Sequence, residues 1–278
     1  MPENNTRVWE ITSKWGRVEL HLSDISSLDA VTRQLPQGFY STFRTYGGGI
    51  RTLGLRAHLQ RLYQPAALQN ITPAVFADTI RHHLAEILGE YPDEARVRVI
   101  LTGNGQVYIA LSHLKPLPAE VYLQGVKVVT TDMQRQNPRL KSTTFISASA
   151  GPRAQIAHSE FFEALLVRNE FILEGLTSNF FYVKEGKLGT AREDVLLGVT
   201  RGTVLRIARE SGLSIVYRPL KRDQVRALSE AYLTSSSRGI VPVIQIDDMP
   251  VGEGRPGSVT KQLMKAYDEY VLRAAERI

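Results

Sequence analysis

Residues 165–183 read LLVRNEFILEGLTSNFFYV, and residues 196–208 read LLGVTRGTVLRIA. The first stretch is a series of short apolar runs cut by turn chemistry. Leu165–Val167 and Phe171–Leu173 flank a polar corner, Thr177-Ser178-Asn179 follows Glu174-Gly175, and Phe180–Val183 runs to a turn at Glu185-Gly186. Such spacing predicts consecutive strands. In the second stretch a glycine and a small hydroxyl residue stand where the chain turns into a helix, with Thr200 read as its cap and Gly212 as its stop. Backbone N–H groups near Val199 and Thr200 would then face outward with the positive end of the helix dipole behind them, an arrangement suited to a phosphate. Residues 234–243, TSSSRGIVPV, place hydroxyls at a strand end, with Ser236 and Ser237 as candidate second donors to the same anion. Taken singly, a capped helix and a serine run are also ordinary features of a helix start and a solvated loop.

Working outward, FYSTFRTY (39–46) and IRTL (50–53) surround Gly47-Gly48-Gly49 and fit a hairpin. A helix is expected from Arg56 to Leu68, with Leu59, Leu62 and Leu68 on one face, and Thr72-Pro73 should open a second helix through His82 and Ile87. RVRVIL (96–101) and QVYIAL (106–111) flank the Asn104-Gly105 turn. The first part of the chain therefore reads as α+β with an antiparallel sheet. The proline-bearing stretch LKPLPAE, from Leu114 to Glu120, is the expected linker. The resulting division is an N-terminal domain at 1–115, a linker at 116–121 and a C-terminal domain at 122–278. In the latter, strands are expected at SIVYRPL (214–220), AYLTSS (231–236) and VPVIQID (241–247), and a last helix from Ser258 through Arg277.

Composition removes several classes. The chain has 278 residues, 43% hydrophobic and 22% charged, as in ordinary globular proteins and unlike disordered or fibrous chains. No stretch approaches the roughly 18 to 20 apolar residues that a spanning helix needs, and the N-terminal MPENNTRVWE has no signal-peptide pattern. No membrane association and a cytoplasmic location are the expectations. The absence of cysteine excludes thiolate chemistry and Cys-ligated metals. The net charge of +6 is scattered among acids and forms no basic stripe, so no nucleic-acid partner is expected. The six histidines form no HExxH pair, so no metal site is expected. A GxGxxG at Gly252, Gly254 and Gly257 comes too near the chain's end for a βαβ unit and reads as a loop before the last helix.

Two further residues have two readings each. Lys141, in NPRLKSTTF, is either a solvated loop charge or, in an apolar site, a lysine that loses its proton easily and serves as nucleophile and proton carrier. Glu174 is either a turn carboxylate or the partner of a protonated ring nitrogen in a pyridine cofactor.

Taken together, FYSTFRTYGGGI with LRAHLQRL, LKSTTF, EGLTSNFF, LLGVTR, LTSSSRGIVPV and VGEGRPGSVTKQL resemble the class IV, fold-type IV pyridoxal-phosphate enzymes. That family includes branched-chain and D-amino-acid aminotransferases and aminodeoxychorismate lyases. The resemblance implies a two-domain fold with a small N-terminal α/β domain and a larger C-terminal domain around a barrel-like sheet. It implies pyridoxal 5'-phosphate as cofactor, amino acids and 2-oxo acids as substrates, and a homodimer. Lys141 would be the catalytic lysine that binds the cofactor and moves the proton, and Glu174 would hold the ring nitrogen. Arg61 would bind the cofactor phosphate with Val199, Thr200, Ser236 and Ser237. Leu196 would pack against the ring, and Ser178 and Asn179 would shape the loop beside it. Arg44 and Arg98 are candidates for the substrate carboxylate or, equally, structural strand arginines. Phe145 stands where branched-chain enzymes commonly have a tyrosine, and the loop TGNGQ lacks the arginine and histidine of the D-amino-acid enzymes. The expected activity is amino transfer with a branched-chain or other hydrophobic amino acid, and the alternatives are lyase and D-amino-acid aminotransferase activity.

Overall fold

A computed structural model describes residues 6–91 and 93–278, so the first five residues of the N-terminal stretch read above lie outside the described residues. The chain forms two compact units. Unit one contains residues 1–115, 140–148 and 273–278, and unit two contains residues 116–139 and 149–272. The division is thus not the contiguous one expected, because two later segments pair back onto unit one. Ser142 bridges Phe39, and Glu276–Arg277 pairs with Arg51–Thr52.

Unit one is built on a seven-stranded antiparallel sheet. Its order is Glu276–Arg277, Arg51–Thr52, Gly38–Tyr46, Ala95–Thr102, Val107–His113, Arg7–Ile11 and Arg17–Glu19. Alternate residues of the central strands serve two different cores. Phe39, Phe43, Val97, Val99 and Ile109 pack with Leu59, Leu62, Ile80 and Leu84 from the helices Leu55–Leu68 and Ala77–Gly89. Tyr40, Ile100, Tyr108 and Ala110 pack on the other side with Leu28, Val31 and Ile146. Both faces are covered, which explains why the central strands are almost continuously apolar.

The second helix starts at Ala77 rather than at Thr72-Pro73. The preceding residues are committed to the turn at Gly105: Ala74 N–H donates to the Gly105 carbonyl at 2.8 Å, and a Cβ on Gly105, at φ +86°, would lie 2.1 Å from the Thr72 carbonyl oxygen. The expected linker also holds structure, a short helix at Ala119–Gln124 whose Tyr122 hydroxyl donates to the Arg238 carbonyl at 3.0 Å.

In unit two, Asn179–Lys184, Glu230–Ser235, Gly239–Ile246, Val126–Thr131, Glu163–Arg168 and Phe171–Gly175 pair in that order. The Asn179–Glu174 pairing closes the six into a barrel. Val128, Leu165, Ile172, Phe180, Leu233, Val241 and Ile246 belong to its apolar core. Lys187–Gly189, Ile215–Val216 and Leu220–Lys221 extend the sheet beyond the closed ring. The last helix runs over Ser258–Ala274, shorter than expected, because Glu276–Arg277 joins the sheet of unit one. Glu230 holds the start of this helix by accepting from Val259 N–H and Thr260 N–H at 3.0 and 2.6 Å. Among the described residues, no helix is long and apolar enough to cross a membrane.

The Leu55–Leu68 helix begins at Gly54 with no capping side chain and no acid in its first turn. Glu276 supplies both functions, accepting from Leu55 N–H at 3.2 Å and pairing with Arg81 at 3.1 Å. Glu276→Ala should therefore cost about 1 kcal/mol in urea unfolding. An unchanged midpoint would show that the cap carries no stability.

Candidate active site

The site elements of unit two converge on Glu174. Opposite it, Leu166 pairs with Glu174 while Val167 pairs with Ile172, so the ladder bulges at Leu173, the residue just before the carboxylate. Bulges bend a strand and re-aim its side chains. The Glu174 side chain is 2% exposed and accepts, at Oε2, from Asn179 Nδ2 at 3.1 Å and from Leu196 N–H at 3.0 Å. Its Oε1 lies 2.9 Å from Arg135 Nε in an ion pair whose arginine side chain is only 5% exposed. A carboxylate so deeply buried needs such partners, since desolvation otherwise drives it to its neutral form.

Asn179 carries the arrangement onward. Its Nδ2 also donates to the Leu196 carbonyl at 2.7 Å, and its Oδ1 sits where a Cβ on Gly198 would approach to 2.2 Å. A side chain at 198 would have to displace the Asn179 amide. Gly198, not Thr200, is the N-cap of the helix Val199–Glu210, and it offers no side-chain cap bond. Thr200 instead lies inside the first turn, buried, with its hydroxyl 3.3 Å from Ser236 Oγ. The uncapped N–H groups of that turn and the hydroxyls of Thr200 and Ser236 thus share one place, and Ser237 sits in the same turn as Ser236. Ser178 faces a second buried carboxylate: its hydroxyl donates to Glu163 Oε1 at 3.1 Å, as does that of Thr177, while Glu163 Oε2 pairs with Arg238 at 3.0 Å. Leu196 is buried at the head of the helix, and Val199 is half-buried.

Unit one holds the other candidates. Lys141 is clipped to the strand Gly38–Tyr46: Tyr40 N–H donates to its carbonyl at 2.9 Å, and Thr143 N–H donates to the Gly38 carbonyl at the same distance. Its Nζ stands 4.7 Å from the centre of the Tyr40 ring. His58, 1% exposed, shares a 2.8 Å hydrogen bond with Ser41 and packs on Phe43. Burial, reinforced by the nearby cations Arg61 and Lys141, holds the His58 imidazole well below its ordinary value and therefore neutral. Lys141, Arg61 and His58 accordingly form one basic neighbourhood.

The two strand arginines serve unit one itself. Arg98 is 3% exposed, with Nε on Thr42, Nη1 on the Leu28 carbonyl and Thr32, and Nη2 on Asp29 at 2.7 Å. Arg44 pairs with Glu94 and lies over the Tyr46 ring. Of the two readings open for each, the structural one fits these contacts. Arg135, Tyr40 and His58 were not singled out by sequence reasoning. His58 stands one helical turn before Arg61 and Tyr40 lies in the strand read as FYSTFRTY, whereas Arg135 sits in a segment with no periodicity at all.

A family model described as amino-transferase class IV matches residues 38–246, about three quarters of the chain. The branched-chain-amino-acid aminotransferase of Pseudomonas aeruginosa is 28% identical over 262 residues, covering 86% of this chain and 85% of that protein. The D-alanine aminotransferase of Bacillus licheniformis is also 28% identical, over 256 residues, covering 86% and 89%. Among solved structures, a Thermotoga maritima protein at 27% identity superposes with a TM-score of 0.79 over 96% of each chain. The fold is therefore the fold-type IV architecture expected from the motifs, with its barrel in the larger unit.

The neutral state of His58 has a consequence for acid stability. Its folded-state value lies below the unfolded one, so below pH 6.5 the unfolded chain binds a proton that the native chain does not. This contribution is complete above 6.5 and is lost as pH falls further. Between about pH 7 and pH 5, wild-type stability in urea should fall more than that of His58→Asn. Equal losses would remove His58 as the source.

Proposed function

Because the chain belongs to the class IV aminotransferase family, we propose that it uses pyridoxal 5'-phosphate to move an amino group between a branched-chain or other hydrophobic amino acid and a 2-oxo acid. One observation carries the reading. A buried carboxylate, Glu174, is bonded to Leu196 N–H and Asn179, and the same few residues lead into the uncapped helix start at Val199 and Thr200. An acceptor for a ring nitrogen and donors for a phosphate thus come from one continuous structure.

When bound, the cofactor supplies an aldehyde that condenses with amines and a ring that takes up the electron pair left by a broken Cα–H bond. Glu174 would hydrogen-bond the ring nitrogen and favour its protonated, electron-poor form. Val199 and Thr200 N–H groups, with Ser236 and Ser237, bind the phosphate at the positive end of the helix, and Arg61 adds a fixed charge. Leu196 would pack on the ring, while Asn179 and Ser178 would keep the adjoining turn in shape. Lys141 Nζ would hold the cofactor through its aldehyde and, when free, would take up and return the substrate's Cα proton. Tyr40 supports the lysine head, and neutral His58 adds no third positive charge beside it. The reading includes a cytoplasmic homodimer. One D-alanine aminotransferase matches at the same 28% identity as one branched-chain enzyme, so the hand of the substrate belongs to the test.

Holoenzyme mixed with single L- or D-amino acids, without acceptor, should lose its visible cofactor band fastest with L-leucine, L-valine or L-isoleucine and release the matching 2-oxo acid. Fastest reaction with D-alanine would move the assignment to D-amino acids. Pyruvate formation from aminodeoxychorismate, with no response to ordinary amino acids, would replace the transferase by the lyase. Lys141→Ala should abolish turnover, and retained turnover would overturn the role given to this lysine.

A further inference from the structure

Arg135 belongs to none of the motifs that identify the family, yet its guanidinium is in direct ionic contact with the Glu174 carboxylate. Both side chains are almost completely buried, at 5% and 2% exposure, and Arg135 Nη2 is anchored on the Leu176 carbonyl at 3.2 Å. Such a pair loses much hydration and is a weak source of stability unless it does something else. Arg201, the other guanidinium whose charge bears on Glu174, is turned to the Ala191 carbonyl at 2.8 Å.

We infer that Arg135 is a positioning residue that determines on which side of the Glu174–ring hydrogen bond the proton resides. The inference rests on the cofactor reading above and deepens it. A buried carboxyl facing a pyridine nitrogen has two forms with the same number of protons: a neutral acid donating to a neutral ring, or a carboxylate accepting from a pyridinium. Burial alone favours the neutral pair. A cation 2.9 Å from the carboxylate oxygen stabilises negative charge on that oxygen. Moving the proton from carboxyl to ring therefore carries positive charge away from Arg135 and is favoured by it. The Asn179 amide and Leu196 N–H push the same way by hydrogen-bonding the charged oxygen. Only the pyridinium form draws electrons strongly from the substrate carbon.

The direct readout is the ring nitrogen itself. Wild-type apoprotein loaded with ring-15N pyridoxal phosphate should give a pyridinium nitrogen shift. Arg135→Gln should move it toward the neutral pyridine position, Arg135→Lys should largely restore it, and Glu174→Gln should give the neutral position whatever residue stands at 135. The half-reaction rate with the best amino acid should fall roughly tenfold or more in Arg135→Gln and recover in Arg135→Lys. An unchanged pyridinium shift in Arg135→Gln would overturn the inference, as would a rate loss that Arg135→Lys does not repair. If Arg135→Gln fails to fold, the pair is read from Arg135→Lys and from Arg135→Gln/Glu174→Gln, which leaves no unpaired buried charge. A neutral ring in Arg135→Lys would then contradict the proposal. Failure of the wild type to bind pyridoxal phosphate at all would instead overturn the function from which this inference starts.

Discussion

A carboxylate taken out of water and kept charged is the constraint on which the larger unit depends. Glu174 lies in a barrel strand at 2% exposure, and a bare anion there would cost far more than one domain's stability. Its surroundings answer that requirement. Arg135 neutralises one oxygen, and Asn179 and Leu196 N–H bond the other. The bulge before it re-aims the strand, and glycine at 198 lets the chain come close enough to Asn179 for the helix to start beside the acid. Fold and chemistry therefore share one set of contacts.

Unit one solves a different problem, holding a lysine on a loop with little freedom. Lys141 has no regular element of its own, but backbone bonds at its own carbonyl and at Thr143 tie it to the strand that also carries Tyr40 and Ser41. A buried histidine beneath, kept neutral, allows Lys141 and Arg61 to stand near each other without a third charge. The helix that bears His58 and Arg61 is capped by Glu276, more than two hundred residues later in the chain. The C-terminal strand thereby supports the basic cluster from a distance.

The parts legible in the sequence were those with local signatures. Strand runs around EGLTSN, the glycine turns of the first hairpin and the GVTR helix start each carry their own spacing, which pointed to strands, a helix start and the candidates Glu174, Val199 and Thr200, while the barrel followed from the family resemblance of these motifs. Long-range pairings left no such mark. Nothing in LKSTTF says that it will lie along Gly38–Tyr46, nor in ERI that it will pair with Arg51–Thr52. Thr200 looked like a cap because small hydroxyls usually are, but the Asn179 contact moved the helix start to Gly198 and left the hydroxyl to meet Ser236. An arginine in a strand reads the same whether it awaits a ligand or, like Arg98, is already satisfied by Asp29 and three neighbours. Arg135 is the opposite case: no pattern marks it, and only the fold brings it to Glu174.

The proposed chemistry requires Lys141 above any other residue. Holoenzyme reduced with borohydride, digested and mapped by mass spectrometry should carry a phosphopyridoxyl group on the peptide containing Lys141 and on no other lysine. A modified lysine elsewhere, or none, would contradict it.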